Sequence, residues 1–293
     1  MTRRGPDSTF GGMQFVTSSY RARLDGLSFV LFSGLAALPL VLGYALGGPE
    51  WAVTFLLLVV GLGLFRPGQR GPFPGTLPLF RSAAPGLFTL IESLAERAGL
   101  KSVPEVNIVP GGQINAAATL RGNRPVLIVT EALLANLDAR RISAVLAHET
   151  AHLAHRDLLV FRLAGTLQAA TMVLGFVTIL LALFAVPIDP ASAVLWTVVA
   201  AVAPAAARFL VAALSRTREF AADLGAARLT GDPGALADAL EIIEYRPRTL
   251  WDWITGRRTP VPLDPARDAF RTHPPTRERV RRLNLLARLI SGG

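Results

Sequence analysis

Residues 142–154 have the sequence Ile-Ser-Ala-Val-Leu-Ala-His-Glu-Thr-Ala-His-Leu-Ala, with a His-Glu-x-x-His motif at its centre. His148 and His152 are four residues apart and share a helix face, so both imidazoles can reach one metal ion, and Glu149 beside them can hold a water. The same motif can occur by chance on a charged, solvated helix. Its apolar neighbours instead predict a largely buried helix, capped by Asp138 and running to about Arg156. Buried histidines need partners, so we predict a metal site here.

The composition limits the ligands that such a site can use. The 293 residues include no cysteine, which excludes disulfides, a cysteine nucleophile and thiolate ligands. A catalytic zinc takes three protein ligands, so a carboxylate is the expected third. Glu219 and Asp223 share a helix face by spacing: Glu219 can bind the metal while Asp223 accepts the second ring N–H of a ligating histidine. The alternative is an interfacial acidic pair that balances Arg216 and Arg218.

Spacing argues against two other classes of site. A metzincin would need a third histidine at position 158, where this chain has Leu158. An intramembrane protease would carry the motif inside a spanning helix, but charged residues bracket it here, which makes the bilayer centre a costly location. Those residues are Arg140, Arg141, Arg156 and Asp157. His155, in the same segment, is predicted to be a surface or interface residue.

Long uncharged runs explain why hydrophobic residues reach 51% of the chain. The runs are residues 27–46, 51–65, 163–186 and 191–207. About 20 apolar residues span a bilayer, so the first and third runs qualify. The fourth qualifies if Arg208 snorkels to the interface, whereas the second is marginal and could be re-entrant or buried. A cleaved signal peptide is the competing interpretation of the first run.

The arginines indicate the orientation of these runs. The net charge of +9 is carried almost wholly by arginine, and the loops 47–50 and 187–190 hold neither Arg nor Lys. The positive-inside rule then predicts four crossings of the cell membrane, with both termini and the catalytic part in the cytoplasm. Expected partners are therefore the lipid bilayer and protein substrates. No nucleic-acid-binding motif is present, so nucleic acid is not an expected partner, and the oligomeric state is left open.

The polar segments predict a small α+β domain, split by the second helix pair of a mainly α membrane protein. A Pro- and Gly-rich linker (66–86) precedes a helix (87–98) that ends at Gly99. Strands are predicted at 105–110, 113–119 and 126–130, and helices from Asp232-Pro233 and from Pro274-Pro275 to about residue 290. The predicted divisions are a cytoplasmic N-terminal segment (1–26), a transmembrane hairpin (27–65), the first part of the catalytic domain (66–157), a second hairpin (158–214) and the second catalytic part (215–293).

Several motifs occur together in the order found in one known family. They are Asn115-Ala116-Ala117-Ala118, the His-Glu-x-x-His motif with Asp157 behind it, two hydrophobic segments, Ser-Arg-Thr-Arg-Glu-Phe-Ala-Ala-Asp at 215–223, and Thr-His-Pro-Pro-Thr at 272–276 with Arg279. Over nearly its whole length the chain resembles the HtpX family of membrane zinc endopeptidases, relatives of the CAAX prenyl proteases with a zincin-like domain. Ala117 and Leu120 depart from the Phe and Gly usual in that family, which bears on substrate binding rather than on the metal site.

The resemblance implies roles for residues outside the motif. Asn115, Ala116 and Ala118 match a strand that pairs with the substrate backbone, a form of β-augmentation; an ordinary strand edge is the alternative. His273 and Arg279 match residues near the substrate carbonyl and are predicted to stabilise the transition state. For these two, the alternative is a helix cap and a contact with lipid phosphate.

The predicted activity is that of a zinc endopeptidase with one Zn²⁺. His148, His152 and Glu219 are its predicted ligands, and Glu149 is the predicted general base. Asp157, like Asp223, is expected to contact a ligand rather than the metal. By resemblance, the substrates are damaged or misfolded membrane proteins cut in cytoplasmic segments, a quality-control and stress-response role.

Two other functions are compatible with such a motif. A CAAX-prenyl-protease-like processing enzyme is the first, but those relatives are larger and have more spanning segments. A membrane signalling sensor with a metalloprotease domain is the second. The predicted outer loops 47–50 and 187–190 leave such a sensor few residues with which to bind a signal.

Overall fold

Helices predominate in the parts of the chain that the computed structural model describes, residues 7–64, 75–185, 189–245 and 274–291. In chain order the elements are α1 Asp7–Gly47, α2 Pro49–Leu64, β1 Leu77–Pro78, α3 Pro85–Arg97, β2 Glu105–Val109, β3 Ala116–Arg121, β4 Arg124–Thr130, α4 Glu131–Asn136, α5 Ala139–Ala154, α6 Asp157–Ala185, α7 Pro190–Thr230, α8 Pro233–Tyr245 and α9 Thr276–Ser291.

Three of the described helices, α1, α6 and α7, are long and apolar enough to cross a membrane. Their large apolar side chains lie outward, as with Phe29 and Phe184, which are 74% and 79% exposed. Helix α2 has 16 residues and so a length of about 24 Å, short of the roughly 30 Å hydrocarbon core. The prediction of helices long and apolar enough to cross a membrane is confirmed for three segments, and the four crossings stay a prediction.

Helix α7 is longer than its apolar run predicts. It has 41 residues in all and continues past Pro204, so the apolar run and Glu219 belong to one helix. Proline removes one helical hydrogen bond and leaves the carbonyl of Ala200 without its usual donor. Gly175 of α6 packs against this point, where an added Cβ would lie 3.0 Å from the Ala200 carbonyl oxygen. Close packing against α6 therefore holds α7 in one piece and carries Glu219 to the catalytic domain.

The sheet has the order β1-β2-β4-β3, with β2 and β4 parallel and the other pairs antiparallel. Three strands were expected from sequence and are confirmed, with ends shifted by up to three residues. Strand β1 was not expected, because it lies inside the predicted linker 66–86 and has only two residues, paired with Ile108 and Asn107 of β2. The prediction of a continuous irregular linker over 66–86 is therefore wrong, because β1 lies inside it. Its predicted end is also wrong, since α3 already begins at Pro85.

Helix α5 lies between the sheet and α7, and its burial follows from its apolar spacing. Asp138 caps it as predicted, since its Oδ1 accepts a hydrogen bond of 2.9 Å from the Arg141 amide. Leu146 and Ala147 pack in one core with residues of β4, α4, α8 and α9, such as Leu127 and Leu236. The helix ends at Ala154, two residues before the predicted end, and Arg156, with φ of 56°, turns the chain into α6.

Candidate metal centre

Two helices bring three potential ligands together. Helix α5 carries His148 and His152, and α7 carries Glu219; the three are 7%, 8% and 4% exposed. The two Nε2 atoms are 3.2 Å apart. The nearest carboxylate oxygens of Glu219 lie 3.5 Å from His148 Nε2 and 3.9 Å from His152 Nε2. The three side chains predicted to bind the metal therefore converge at one buried point.

Two carboxylates contact the Nδ1 atoms of the imidazoles, on the side of each ring away from the three potential ligand atoms. His152 Nδ1 lies 2.7 Å from Asp157 Oδ2, and His148 Nδ1 lies 3.1 Å from Asp223 Oδ1. A carboxylate accepts hydrogen bonds, so each Nδ1 carries a proton and each Nε2 presents its lone pair to the other ring and to Glu219. Facing lone pairs beside a carboxylate are favourable only with a positive charge between them, which either a metal ion or an added proton supplies.

The donor set fits a zinc ion. Ligand atoms bound at about 2.0–2.2 Å in tetrahedral geometry lie roughly 3.3–3.6 Å apart, close to the distances between the two Nε2 atoms and the Glu219 carboxylate. Charge in the site points the same way. Burial and the Arg279 guanidinium disfavour a charged ring, yet hydrogen bonds to Asp223 and Glu219 raise the pKa of His148 to about 10. With no metal bound, a ring with this pKa is protonated on both nitrogens at pH 7, and a metal cation at the same point would take the place of the Nε2 proton.

Arg279, from α9, places a positive charge beside the acidic groups of the site. Its Nε and Nη2 donate to Asp223 at 2.9 and 2.6 Å, and its Nη1 lies 3.2 Å from Glu219 Oε2. Burial disfavours the charged guanidinium, but the Asp223 and Glu219 carboxylates outweigh it and raise the pKa of Arg279 above its ordinary value. The arginine therefore stays charged at the wall of the site.

A second ionic chain links the site to the first membrane helix. Arg218 of α7 donates from Nε to Asp157 Oδ1 at 2.5 Å and from Nη1 to Asp25 Oδ1 of α1 at 3.0 Å. Asp157 is fully buried and Arg218 is 7% exposed. The Asp157 carboxylate thus lies between His152 and Arg218, with one oxygen on each. Sequence patterns assigned Arg218 only a membrane-flanking or charge-balancing role, because its partners lie 61 and 193 residues away.

Strand β3 forms the free edge of the sheet beside the ligands. The backbone carbonyl of Asn115 accepts a hydrogen bond of 3.1 Å from the Thr130 amide of β4. Because antiparallel ladder bonds alternate along a strand, the backbone groups of Ala116 and Ala118 point away from β4. The Ala118 amide donates to Glu149 Oε2 at 2.8 Å, and the Ala116 amide donates to Asn115 Oδ1 at 2.9 Å.

These groups line one cavity of about 430 Å³. Its polar wall combines the three potential ligands with Glu149 and Arg279, and its opposite wall is the β3 edge. Apolar side chains also line it, among them Val145, Leu236, Leu240 and Ile243. The structure thus brings together in one cleft the described residues that sequence predicted for metal binding, general-base catalysis and backbone recognition.

Comparison with known proteins gives this arrangement a family. The sequence profile described as Peptidase family M48 matches residues 82–287, most of the chain. The chain belongs to peptidase family M48. It is 32% identical over 286 residues to "Protease HtpX homolog" of Pelotomaculum thermopropionicum, covering 88% of this chain and 98% of that protein. It is 34% identical over 278 residues to the protein of the same name from Thermococcus kodakarensis, covering 88% and 94%.

A solved structure extends the likeness to the fold. Ste24p of S. mikatae matches with a TM-score of 0.50 and 19% identity, covering 92% of this chain and 65% of that one. Together the M48 match, the apolar helices and the His-His-Glu cluster identify an HtpX-like membrane metalloprotease. The resemblance noted from sequence motifs is confirmed.

The M48 chain holds His155 between two helices rather than at the metal. An added Cβ at Gly225 of α7 would lie 2.6 Å from Ala151 Cβ and 3.3 Å from His155 Cε1. Burial, together with the nearby Arg21 charge, lowers the pKa of His155 to about 4. The ring is therefore neutral at pH 7 and packs in the α5–α7 interface, in line with the interface position expected from sequence. His273 lies outside the described residues.

Replacing Arg218 with methionine is expected to destabilise this M48 protease and weaken its metal site. The fully buried Asp157 carboxylate would lose its cation, and breaking a buried ion pair costs about 3–5 kcal/mol. The melting temperature and the metal content of detergent-purified protein measure the two effects. Arg208→Met, an exposed position on the same helix, is the matched control. Unchanged stability and metal content in Arg218→Met would show that Asp157 needs no support from α7.

Proposed function

We propose that this chain is a zinc-dependent endopeptidase with one Zn²⁺ bound by His148, His152 and Glu219. The observation that carries the proposal is the convergence of two imidazole lone pairs and one carboxylate at separations of 3.2–3.9 Å, beside Glu149 and a sheet edge. Two nitrogens and one oxygen, with no thiolate, are the ligand set of catalytic zinc peptidases. All three side chains line the cleft, so an ion held there would be accessible from it.

The chemistry divides between the ion and Glu149. A zinc ion at this point supplies Lewis-acid chemistry, which makes water nucleophilic near pH 7 and polarises a carbonyl. Glu149 accepts the proton of the attacking water and later delivers it to the leaving amine. Its Oε2 is held by the Ala118 amide, so the carboxylate faces the cleft in a fixed orientation before substrate arrives.

Substrate binding follows from the direction of the β3 backbone groups. A peptide in extended conformation pairs with Ala116 and Ala118, and the Asn115 side chain lies at the end of that pairing. A substrate carbonyl that pairs with the Ala118 amide takes the place of Glu149 Oε2 and frees that oxygen for the water. Backbone recognition of this kind selects for an exposed, unfolded segment rather than for one sequence.

Arg279 is proposed to stabilise the negative charge that develops on the substrate carbonyl oxygen. Its guanidinium lines the cleft and is fixed by two hydrogen bonds to Asp223, so it requires no reorganisation as charge develops. The sequence resemblance assigns His273 to the same task. Asp223 and Asp157 hold the two ligating rings in the tautomer that the metal needs.

The proposed setting is the cell membrane, with the catalytic domain and both termini cytoplasmic and with damaged or misfolded membrane proteins as substrates. The arginines beside the apolar helices support this orientation. The helix that carries Glu219 is itself a membrane-spanning candidate. The metal site is therefore held at the end of a membrane helix, within reach of segments that emerge from the bilayer.

The proposed function is tested by mapping cuts in membrane proteins of known topology. The full chain is expressed with native and destabilised forms of each protein, and cut positions are found by mass spectrometry in isolated membranes. Cuts are expected in cytoplasmic segments, mainly of the destabilised forms, and are expected to stop with a chelator and resume with added zinc. Chelator-resistant cuts, or cuts restricted to the opposite face, would contradict the proposal.

A further inference from the structure

A second cavity of about 340 Å³ adjoins the first. His152 and Leu158 line both cavities. The second cavity is formed by the loop after α3, the β3–β4 hairpin and the junction of α5 with α6. Its lining residues include Lys101, Leu120, Asn123, Pro125 and Arg156.

Strand β3 runs from the first cavity, which Ala118 lines, to the second, which Leu120 lines. Leu120 is two residues beyond Ala118, so its backbone groups point to the same free side of β3. At about 3.3 Å per residue, a paired chain travels roughly 7 Å between these positions. An extended segment paired with Ala116 and Ala118 would therefore reach Leu120, which lines the second cavity.

The second cavity carries positive charge without a carboxylate of its own. Lys101, the single lysine of the chain, and Arg156 both line it, and both are exposed. Within the described ranges, no carboxylate lies within ion-pair distance of either, and none lines the cavity. Glu105, at the start of β2, is engaged at 2.6 and 3.5 Å by Arg121 and Arg124. Two cations thus line a cavity beside the free edge of β3.

We infer that this second cavity is a subsite for an acidic substrate side chain, on the N-terminal side of the bond that is cut. The inference rests on the proposed peptidase function. Antiparallel pairing is the more stable arrangement of two strands, and it places the N-terminal half of the substrate toward the end of β3 at Leu120. The acidic residue then lies about two to four positions before the scissile bond.

The test uses one peptide that the purified full chain cleaves, prepared with Glu, Gln or Lys at each of these positions. The kcat/KM is expected to fall from Glu to Gln to Lys, with Glu preferred over Lys about three- to ten-fold at low ionic strength and less at high salt. Lys101→Glu and Arg156→Glu should each reduce or invert the ratio of Glu to Lys cleavage. Arg281→Glu, an exposed charge on α9, should keep the wild-type ratio.

The outcomes separate this inference from the function on which it rests. Zinc-dependent cleavage of all three peptides at equal rates overturns the subsite and leaves the peptidase intact. Absence of zinc-dependent cleavage of any peptide overturns the peptidase itself. Rates that respond to anionic rather than zwitterionic lipid vesicles, but not to peptide charge, would assign the two cations to lipid headgroups and overturn the subsite. Cleavage of the Gln peptide by each variant shows that the variant is folded.

Discussion

Glu149→Gln is expected to keep one zinc ion per chain while peptide hydrolysis falls by a factor of about 10² to 10⁴. Glu149 lies beside the ligands but is not among the three side chains that converge on the metal point. A glutamine can still accept the Ala118 amide hydrogen bond, so the local structure has little reason to change. It cannot take a proton from water, which removes the step that makes water a nucleophile.

Measurement of kcat and of zinc content on the same preparation separates the two roles open to Glu149. Glu241→Gln, an exposed glutamate on α8, is the matched control and should behave as wild type in both. Near-normal turnover in Glu149→Gln would remove Glu149 as general base. Loss of zinc together with activity would instead make it a ligand.

The metal-binding face of α5 was predictable because its determinants are local. Four-residue spacing on a helix fixes which side chains share a face, and apolar neighbours fix which face is buried. The same reasoning placed Glu219 and Asp223 together on another helix. The spacing of residues within each helix could not predict that the two helices pack against each other. The close α5–α7 approach uses Gly225 against Ala151, a contact between residues far apart in the chain.

Long-range ionic contacts were the main feature that sequence could not predict. Asp157 was expected to contact a ligand, but its second oxygen binds Arg218, and Arg218 continues to Asp25 on the first membrane helix. Arg279 was predicted to act near the substrate carbonyl. The structure places it in the cleft and also on Asp223. Such pairings depend on the tertiary fold, because a charged residue at a membrane boundary has the same sequence signature whether it binds lipid or another helix.

The short strand β1 and the full length of helix α7 were also not predicted, each for a physical reason. Strand β1 has two residues, too few for an alternating pattern to show. Helix α7 passes through a proline, a residue that ordinarily ends a helix, and at this point it packs closely against Gly175 of α6. His273 stays a prediction from resemblance, since it lies outside the described residues.

Glu219→Ala is expected to abolish zinc retention and, with it, peptide hydrolysis. The variant leaves two imidazoles and no charged ligand, while the Arg279 guanidinium, 3.2 Å from the lost carboxylate, remains to repel a cation. A catalytic zinc site needs three protein ligands, so the remaining pair should exchange the ion freely. Because Arg279 keeps both hydrogen bonds to Asp223, the fold should survive, and the melting temperature of wild-type protein treated with chelator provides the reference.

The zinc-to-protein ratio of the purified full chain is the most direct test of the proposed metal centre. Wild type, Glu219→Ala and the exposed control Glu241→Ala are purified in the same detergent, dialysed against the same metal-buffered solution and measured by elemental analysis. The expected ratios are one for wild type and control and near zero for Glu219→Ala. A ratio near one in a folded Glu219→Ala protein, or no zinc in the active wild type, would contradict the proposed site.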